Sequence, residues 1–311
     1  MTHVLVTGAA GFIGSHTVDQ LLAAGHHVTG IDNFRTGRPA NLGAAHPHSA
    51  FNLQERDITV SGVLERVISS TRPDAIIHLA ALVSVQESMS DPALNFSLNV
   101  QATHTVAEAA RQHRVPRVVF ASSAAVYGET SAGATAEDAP TRPISPYGAA
   151  KLASEALLLG HAAAFGFTVR CQRYFNVYGP RQDPASPYSG VISIFERRYR
   201  EGKPVTIFGD GQQTRDFISV HDVARANVLA ATQANVPSGI ANICTGRATS
   251  LREIAAIFNR HYPALPPPTH APARAGDILH SLGSPATAAA ELGFDAHGDI
   301  ATGLAELIRG E

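Results

Sequence analysis

The chain has 311 residues, which suits one large α/β unit or about two domains of ordinary size. A hydrophobic fraction of 44% supports a substantial core, and a formal net charge of −2 without long basic runs excludes a broad nucleic-acid or anionic-membrane binder. No apolar run approaches the ~18 residues that span a bilayer, and the first apolar stretch lacks the basic start of a signal peptide. We therefore expect a cytoplasmic protein.

Short apolar runs alternate with helical patterns through the first half of the chain. The predicted strands cover residues 3–7, 27–31, 75–79, 117–121 and 168–172. The predicted helices cover residues 12–24, 61–70, 92–113 and 146–165. Such alternation is typical of a parallel sheet with helices on both faces, so the fold class is a doubly wound, Rossmann-type α/β fold.

The rhythm changes after about residue 175, where Gly and Pro become more frequent. We expect a Rossmann domain over residues 1–175 and a smaller α/β substrate-binding lobe over residues 176–311. The segment 216–235 is expected to return to the first domain.

A glycine-rich turn, Gly8-Ala-Ala-Gly11-Phe-Ile-Gly14, joins the first predicted strand to the first predicted helix. Its glycines allow the backbone to turn tightly and to approach a pyrophosphate at the positive end of the helix. Asp32 stands at the end of the second predicted strand, where a carboxylate accepts hydrogen bonds from a ribose and repels a 2′-phosphate. The pattern predicts a dinucleotide site that prefers NAD to NADP.

A second pattern pairs a phenol with an ammonium. Tyr147 and Lys151 are spaced i and i+4, which places them on one face of a helix, and the chain contains only one other lysine, Lys203. A nearby positive charge favours the phenolate, and NAD⁺ would add to that charge, so Tyr147 is expected to act as a base near neutral pH. Ser123 follows a predicted strand at the sheet edge where α/β sites form.

The glycine turn, Ser123 and the Tyr-x-x-x-Lys pair together resemble the extended short-chain dehydrogenase/reductases. Segments 121–128 (ASSAAVYG) and 173–180 (RYFNVYGP) resemble the nucleotide-sugar 4-epimerases among them. The resemblance runs from Thr2 to about Gly293.

The resemblance implies a role for each matching position. Ser123, Tyr147 and Lys151 match the catalytic set. The cofactor NAD would contact Gly8, Gly11, Phe12, Ile13, Gly14, Asp32, Asn33, Asp57, Ile58, Leu79, Ala80, Ala81, Asn99, Tyr147, Lys151 and Tyr174. The nucleotide-sugar substrate would contact Ser123, Tyr147, Asn176, Phe208, Arg215, Arg274, Asp277 and Ser281. In this set Arg215 and Arg274 would clamp the diphosphate, and Asp277 would accept from the nucleotide ribose.

The implied reaction is C4 epimerisation of a nucleotide-diphosphate sugar through a transient 4-keto intermediate, with NAD retained through each cycle. The expected sugars are the UDP-glucose and UDP-galactose pair, together with the N-acetylhexosamine pair if the small Ser281 leaves room for a 2-acetamido group. The resemblance also implies a homodimer, formed through the helices over 92–113 and 146–165.

Other readings stay open at this point. Ala124 and Ala125 stand where related dehydratases and decarboxylases carry acids, which disfavours those reactions. A dTDP-6-deoxyhexose (rhamnose) 4-epimerase, a net NAD(P)-dependent 4-keto-sugar reductase and a non-catalytic dinucleotide sensor remain alternatives. The fifteen histidines are scattered without metal-ligand spacing, so no metal site is predicted.

Overall fold

The computed structural model describes residues 1–130, 133–183, 190–273 and 279–310. Within these ranges the strands are β1 (His3–Thr7), β2 (His27–Asp32), β3 (Phe51–Glu55), β4 (Ala75–His78), β5 (Arg117–Ser123), β6 (Thr168–Tyr174), β7 (Asn176–Tyr178), β8 (Thr206–Phe208), β9 (Thr214–Arg215), β10 (Phe217–Ser219), β11 (Gly239–Ile243), β12 (Thr249–Ser250), β13 (Thr269–Ala271) and β14 (His280–Ser281). The helices are α1 (Phe12–Ala23), α2 (Val63–Thr71), α3 (Val85–Ser90), α4 (Pro92–Asn95), α5 (Ala102–His113), α6 (Pro146–Phe165), α7 (Val191–Arg200), α8 (Val220–Thr232), α9 (Leu251–His261), α10 (Ala286–Leu292) and α11 (Ile300–Arg309). None of the helices in the described ranges is both long and apolar enough to cross a lipid bilayer.

Seven strands form one parallel sheet in the order β11, β6, β5, β4, β1, β2, β3. The chain leaves β1 toward β2 and β3 and then crosses to β4 on the other side of β1. A crevice forms outside the carboxyl ends of the strands at such a reversal, and ligands bind there. The predicted Rossmann-type fold class is confirmed. We therefore expect the ligand-binding site in this crevice.

Helices cover both faces of the sheet. On one face α1 and α8 pack together, and Val18 and Val223 belong to the same buried cluster. On the other face lie α2, α5 and α6, whose Val106 and Leu158 share a second cluster. The Val, Ile and Leu content of the strands is explained by this burial on both faces.

A third apolar cluster belongs to the elements that follow β7. It joins α7, α9 and α11 through buried residues that include Phe195, Phe258 and Leu304. The aromatic rings of Tyr199 and Phe258 stack with their centroids 5.1 Å apart. Beside this cluster, β9 pairs with β12 and β14, which holds Arg215 at the edge of the site.

The chain returns to the large sheet late in its course. Helix α8 packs against α1, and β11 pairs with β6 from Gly239 opposite Arg170 to Ile243 opposite Tyr174. Strand β11 lies beyond the 216–235 segment that the sequence indicated for this return. The last strand of the sheet therefore comes from the second half of the chain.

Two elements differ from the sequence-based expectations. Strand β3 was not predicted, because it forms the edge of the sheet and its residues (FNLQE) are only partly buried. The helix predicted over 92–113 is interrupted by a π-helical turn at Phe96–Gln101. In this turn the Asn99 amide bonds both the N–H and the carbonyl of Leu82, so the wider turn serves a tertiary contact.

Candidate active site

A cavity of about 1210 Å³ opens at the carboxyl edge of the sheet. It runs from the glycine turn past the ends of β4 and β5 to the first turn of α6. The predicted site residues that line it are Gly8, Gly11, Phe12, Ile13, Gly14, Asp32, Asn33, Asp57, Ile58, Leu79, Ala80, Ala81, Ser123, Tyr147, Lys151, Tyr174, Asn176, Arg215 and Ser281. Arg274 and Asp277 lie outside the described residues.

The glycine turn leaves no room for side chains. A Cβ at Gly14 would lie 2.0 Å from the Gly8 carbonyl oxygen, and a Cβ at Gly8 would lie 2.8 Å from the Ala80 nitrogen. Gly8 also adopts a left-handed φ of +71°. Helix α1 begins directly after this turn without a side-chain cap, so its first N–H groups face the cavity and can bind an anion. The turn fits the pyrophosphate of a dinucleotide.

Asp32 ends β2 beside this turn and is only 7% exposed. One carboxylate oxygen accepts from the Ala10 N–H and the other from the Phe34 N–H, both at 2.8 Å. Burial raises the pKa of Asp32, and the two backbone hydrogen bonds oppose that shift. Each oxygen keeps a further lone pair, so the carboxylate can accept from a ribose hydroxyl in the cavity.

Two other predicted cofactor residues have different surroundings. The Asn33 amide donates to the Asp57 carboxylate at 2.9 Å, which joins the ends of β2 and β3 beside the cavity. Asn99 does not line the cavity. Its buried side chain bonds Leu82 and also donates to the Asn95 side chain at 2.7 Å, so it supports the wall formed by residues 79–82.

The first turn of α6 lies very close to the end of β5. Ser145 caps the helix by accepting from the Gly148 N–H at 3.1 Å, and Pro146 occupies its first position. A Cβ at Gly148 would lie 2.6 Å from the Ala125 carbonyl oxygen, so only glycine permits this approach. The approach places Tyr147 beside Ser123, close enough for the Ser123 side chain to affect the pKa of the phenol.

Lys151 lies one turn further along α6 and is buried. Its Nζ donates to the Ala121 carbonyl on β5 at 2.9 Å and lies 5.8 Å from the centroid of the Tyr147 ring. Burial lowers the pKa of Lys151 to about 7, although the nearby Glu155 carboxylate raises it. An ammonium of this kind changes its protonation state near neutral pH.

The sequence predicts that the charges of Lys151 and of bound NAD⁺ together lower the pKa of Tyr147, and that stays a prediction. Burial raises the pKa of the Tyr147 phenol, and the hydrogen bond with Ser123 offsets only part of that shift. Desolvation disfavours the charged phenolate, so burial by itself opposes the ionisation of Tyr147.

A buried ion pair beside Lys151 was not predicted. Arg173 on β6 donates to both Glu155 carboxylate oxygens, at 2.9 and 2.7 Å, and Ser122 donates to the same carboxylate. Glu155 lies four residues after Lys151, a spacing that the sequence shows. Its partner Arg173 comes from another strand, and only the fold reveals it.

A second cavity of about 350 Å³ adjoins the first on the side of the smaller sheets. Phe208 lines it, together with Asn176 and Arg215, which line both cavities. The Arg215 guanidinium donates to the Thr214 carbonyl at 2.9 Å, and the Asn176 amide donates to the Asp216 carbonyl at 3.3 Å. Of the predicted substrate residues, Asn176 and Arg215 therefore stand where the two cavities meet.

Asp216 supports this junction, and sequence reasoning did not single it out. It is fully buried and accepts from the Thr245 N–H and hydroxyl at 2.8 and 2.7 Å and from the Gly246 N–H at 2.9 Å. Its position directly after Arg215 is the only local signal for this role. Throughout the described part of the chain, no group of three His, Cys, Asp or Glu side chains is placed to hold a metal ion.

Comparison with known proteins assigns the family. Residues 4–244 match the model of the NAD dependent epimerase/dehydratase family. The UDP-glucose 4-epimerase of Mycolicibacterium smegmatis is 40% identical over 305 residues, covering 98% of this chain and 96% of the relative.

Two solved structures share the whole fold. The Thermotoga maritima UDP-glucose 4-epimerase with UDP-glucose is 35% identical with a TM-score of 0.92, covering 99% of this chain and 98% of that one. The UDP-N-acetylglucosamine 4-epimerase of Methanobrevibacter ruminantium M1 is 34% identical with a TM-score of 0.93, covering 99% and 97%. The resemblance drawn from the sequence is confirmed, and this chain belongs to the NAD-dependent epimerase/dehydratase family.

Proposed function

We propose that this protein is an NAD-dependent nucleotide-sugar 4-epimerase. The observation that carries the proposal is the place of Ser123, Tyr147 and Lys151 in the cavity that holds the dinucleotide cradle, next to a second cavity that shares Asn176 and Arg215 with it. A sugar between the two cavities would reach the phenol of Tyr147 while its nucleotide stays in the second.

The residues of the chain divide the chemistry among them. NAD⁺, held at the glycine turn and beside Asp32, would supply the hydride chemistry at sugar C4 when bound. Inversion at C4 requires the 4-keto sugar to turn, so that the hydride returns to its opposite face. The ionised Tyr147 would take the proton from the 4-hydroxyl and later give it back, and Ser123, which lies beside the phenol, would bond the same sugar oxygen. Lys151 places a positive charge near the phenol and favours its ionised form. Arg215 suits the diphosphate, because a guanidinium binds two oxygens at once.

Epimerisation is favoured over dehydration. Ala124 and Ala125 follow Ser123 and line the cavity, and neither has a proton to transfer. A dehydration would need an additional acid and base beside the sugar, whereas a C4 epimerisation needs only the residues already named.

We propose UDP-glucose and UDP-galactose as the substrate pair, with the UDP-N-acetylhexosamine pair as a second. Ser281 lines the main cavity and lies opposite Arg215 in the β14–β9 pairing, so a small side chain stands beside the diphosphate position. The relatives from T. maritima and M. ruminantium are named for the two substrate classes, and both share the fold of this chain.

Two other enzyme functions are alternatives, and they differ from the proposed one in the nucleotide base bound or in the release of the cofactor. A dTDP-6-deoxyhexose 4-epimerase would use the same residues with another base in the second cavity. A net 4-keto-sugar reductase would exchange NAD(P) at every turnover. The buried Asp32 beside the ribose position disfavours NADP as the cofactor of such a reductase.

A homodimer is part of the proposal. On α6 the small residues Ala149, Ala153, Ala156 and Gly160 are exposed at helical spacing, and the exposed Phe96 lies on the neighbouring π-helical turn. This apolar face suits a second copy of the chain. A cytoplasmic location is also proposed, and the free, buried thiols of Cys171 and Cys244 are consistent with it.

Proton NMR of the purified protein without added NAD tests the function. The protein is incubated separately with UDP-glucose, UDP-N-acetylglucosamine and dTDP-rhamnose. New anomeric signals of a C4 epimer are expected with the UDP-sugars, and the matched Tyr147→Phe variant should be slower by about 10²–10⁴-fold. Turnover confined to dTDP-rhamnose would favour the alternative epimerase, and no epimer in any tube after NAD is supplied would contradict the proposal.

A further inference from the structure

The loop of residues 33–38, between β2 and the turn at Pro39–Leu42, encloses the Asp32 carboxylate. The Phe34 N–H bonds Asp32, and the Arg38 N–H donates to the Ala10 carbonyl of the glycine turn at 3.0 Å. A Cβ at Gly37 would lie 2.8 Å from an Asp32 oxygen, so the loop backbone packs directly on the carboxylate. The base of the loop is thus held against the part of the cavity that fits the dinucleotide.

Two arginines extend from this loop to acids on different elements. Arg38 forms an ion pair with Asp183, which follows β7, at 2.6 Å, and Arg35 forms one with Glu87 on α3. All four side chains line the main cavity. Asp183 belongs to a segment that contacts α1 on one face of the sheet, whereas α3 packs on α6, which covers the other face. The two ion pairs therefore connect the loop to different walls of the main cavity.

The segment that carries Asp183 is itself attached to α1. The Pro180 carbonyl lies 3.0 Å from the His16 Nε2, and the neighbouring Arg181 pairs with Asp19 at 2.7 Å. The Ser193 hydroxyl of α7 donates to the Gln182 side chain at 2.6 Å. The Arg38–Asp183 contact thus joins the loop of residues 33–38 to a segment that is bonded to both α1 and α7.

We propose that the ion pair between Arg38 and Asp183 is a latch that holds the dinucleotide in its cavity between turnovers, with Arg35 and Glu87 as its counterpart on the other wall. This inference rests on the proposed function, because a 4-epimerase must keep its NAD through both half-reactions. The pair is partly exposed, at 57% for Arg38 and 36% for Asp183, so it can open without unfolding and its strength depends on salt.

The charge of Asp183 allows a sharp test. If Asp183 acted only through the electrostatic repulsion of its negative charge, the loss of that charge would strengthen the binding of an anionic dinucleotide and slow the release of the dinucleotide. If it acts as a latch, Asp183→Asn must accelerate release. The two accounts predict opposite signs for the same variant.

The experiment measures the rate at which protein loaded with NAD releases it into buffer that contains an excess of a fluorescent ethenoadenine analogue of NAD. We expect Asp183→Asn and Arg38→Gln each to release NAD about twofold to fivefold faster. The double variant should be no faster than the faster single variant, because both break the same contact. Raising the salt should accelerate the wild type more than the double variant. The matched control is Glu201→Gln, which breaks the similarly exposed Lys203–Glu201 pair at 2.8 Å, away from the cavity.

Unchanged or slower release from Asp183→Asn would overturn the latch while leaving the epimerase proposal intact. Strictly additive effects of the two substitutions would also overturn it, because each residue would then act alone. A wild-type protein that neither retains nor takes up NAD would instead contradict the proposed function, and the latch with it.

Discussion

Lys151 and Glu155 lie one helical turn apart on α6, both buried, and the charge of Glu155 raises the pKa of Lys151 against the effect of burial. His78 on β4 also faces Lys151, but burial lowers the pKa of His78 to about 3, so it is neutral at pH 7. Arg173 holds the Glu155 carboxylate in place with two hydrogen bonds. The protonation of Lys151 therefore depends on an acid outside the Tyr-x-x-x-Lys motif.

Glu155→Gln should lower the pKa of Lys151 below its present value of about 7 and shift the pH optimum of turnover toward lower pH. The reason is that the ammonium would lose its stabilising charge. The buried Arg173 would also lose its partner, which costs about 3–5 kcal/mol of folding free energy. The pH profile of kcat/KM and the urea unfolding midpoint check both effects. Glu155→Asp keeps the charge and should keep the optimum, and an unshifted profile in Glu155→Gln would contradict the role of the acid.

Gly14→Ala should abolish NAD retention and destabilise the fold by about 1–3 kcal/mol, because the new Cβ would lie 2.0 Å from the Gly8 carbonyl oxygen. Gly43→Ala is the matched control. Gly43 has an ordinary φ of −55°, and its Cβ would meet only the Ala40 carbonyl oxygen at 3.4 Å, so alanine should leave the stability nearly unchanged. Urea unfolding and the NAD content of the purified proteins measure the two effects. Equal behaviour of the two variants would show that the close approach is unimportant.

Folding stability should fall as the pH decreases from 6.5 toward 3. His78 accepts from the Thr7 hydroxyl at 2.8 Å and donates to Thr103 at 3.2 Å, and Thr103 in turn donates to the Asn99 carbonyl. This chain of bonds needs the neutral imidazole, and burial lowers the pKa of His78 from 6.5 to about 3. Below pH 6.5 the unfolded state binds a proton that the folded state does not, so each pH unit costs about 1.4 kcal/mol.

Urea unfolding at pH 7.5, 6.0 and 5.0 measures this dependence. His78→Gln removes the titrating group while keeping one donor and one acceptor, so its stability should vary less with pH than that of the wild type. His16→Gln is a comparison, because burial also lowers the pKa of His16, to about 4. A wild type and a His78→Gln variant with the same pH dependence would show that His78 does not carry the effect.

Ser281→Tyr should reduce kcat/KM for UDP-N-acetylglucosamine relative to UDP-glucose by about tenfold or more. A tyrosine at this position would fill space that a 2-acetamido group needs, while the smaller 2-hydroxyl would still fit. NMR progress curves with each substrate give the ratio, and Ser281→Ala is the control that keeps the space open. An unchanged ratio in Ser281→Tyr would show that this residue does not select the sugar.

Ala156→Glu should convert a dimer into monomers, because it places a charge in the middle of the exposed face of small residues on α6. Light scattering after gel filtration measures the mass. Ala256→Glu on α9 changes another exposed alanine outside that face and should leave the mass unchanged. A wild type that is already monomeric would contradict the proposed dimer directly.

Local patterns determined much of this protein without the structure. The glycine turn, the strands before it and after it, and the Tyr147–Lys151 spacing are local features, because close backbone approach and helical periodicity act over a few residues. They predicted the Rossmann-type sheet, and they led to the family. The edge strand β3 was missed because it is only partly buried, so its residues show no apolar run that would mark a strand.

Contacts between distant segments were decided only by the tertiary structure. Arg173 meets Glu155 because β6 lies beside β5 under α6, and Arg38 meets Asp183 because a loop after β2 reaches a segment after β7. The raised pKa of Tyr147 likewise follows from burial, which no spacing of residues records. Residue types and their spacing thus identified the chemistry, whereas burial and long-range packing set the charges under which it operates.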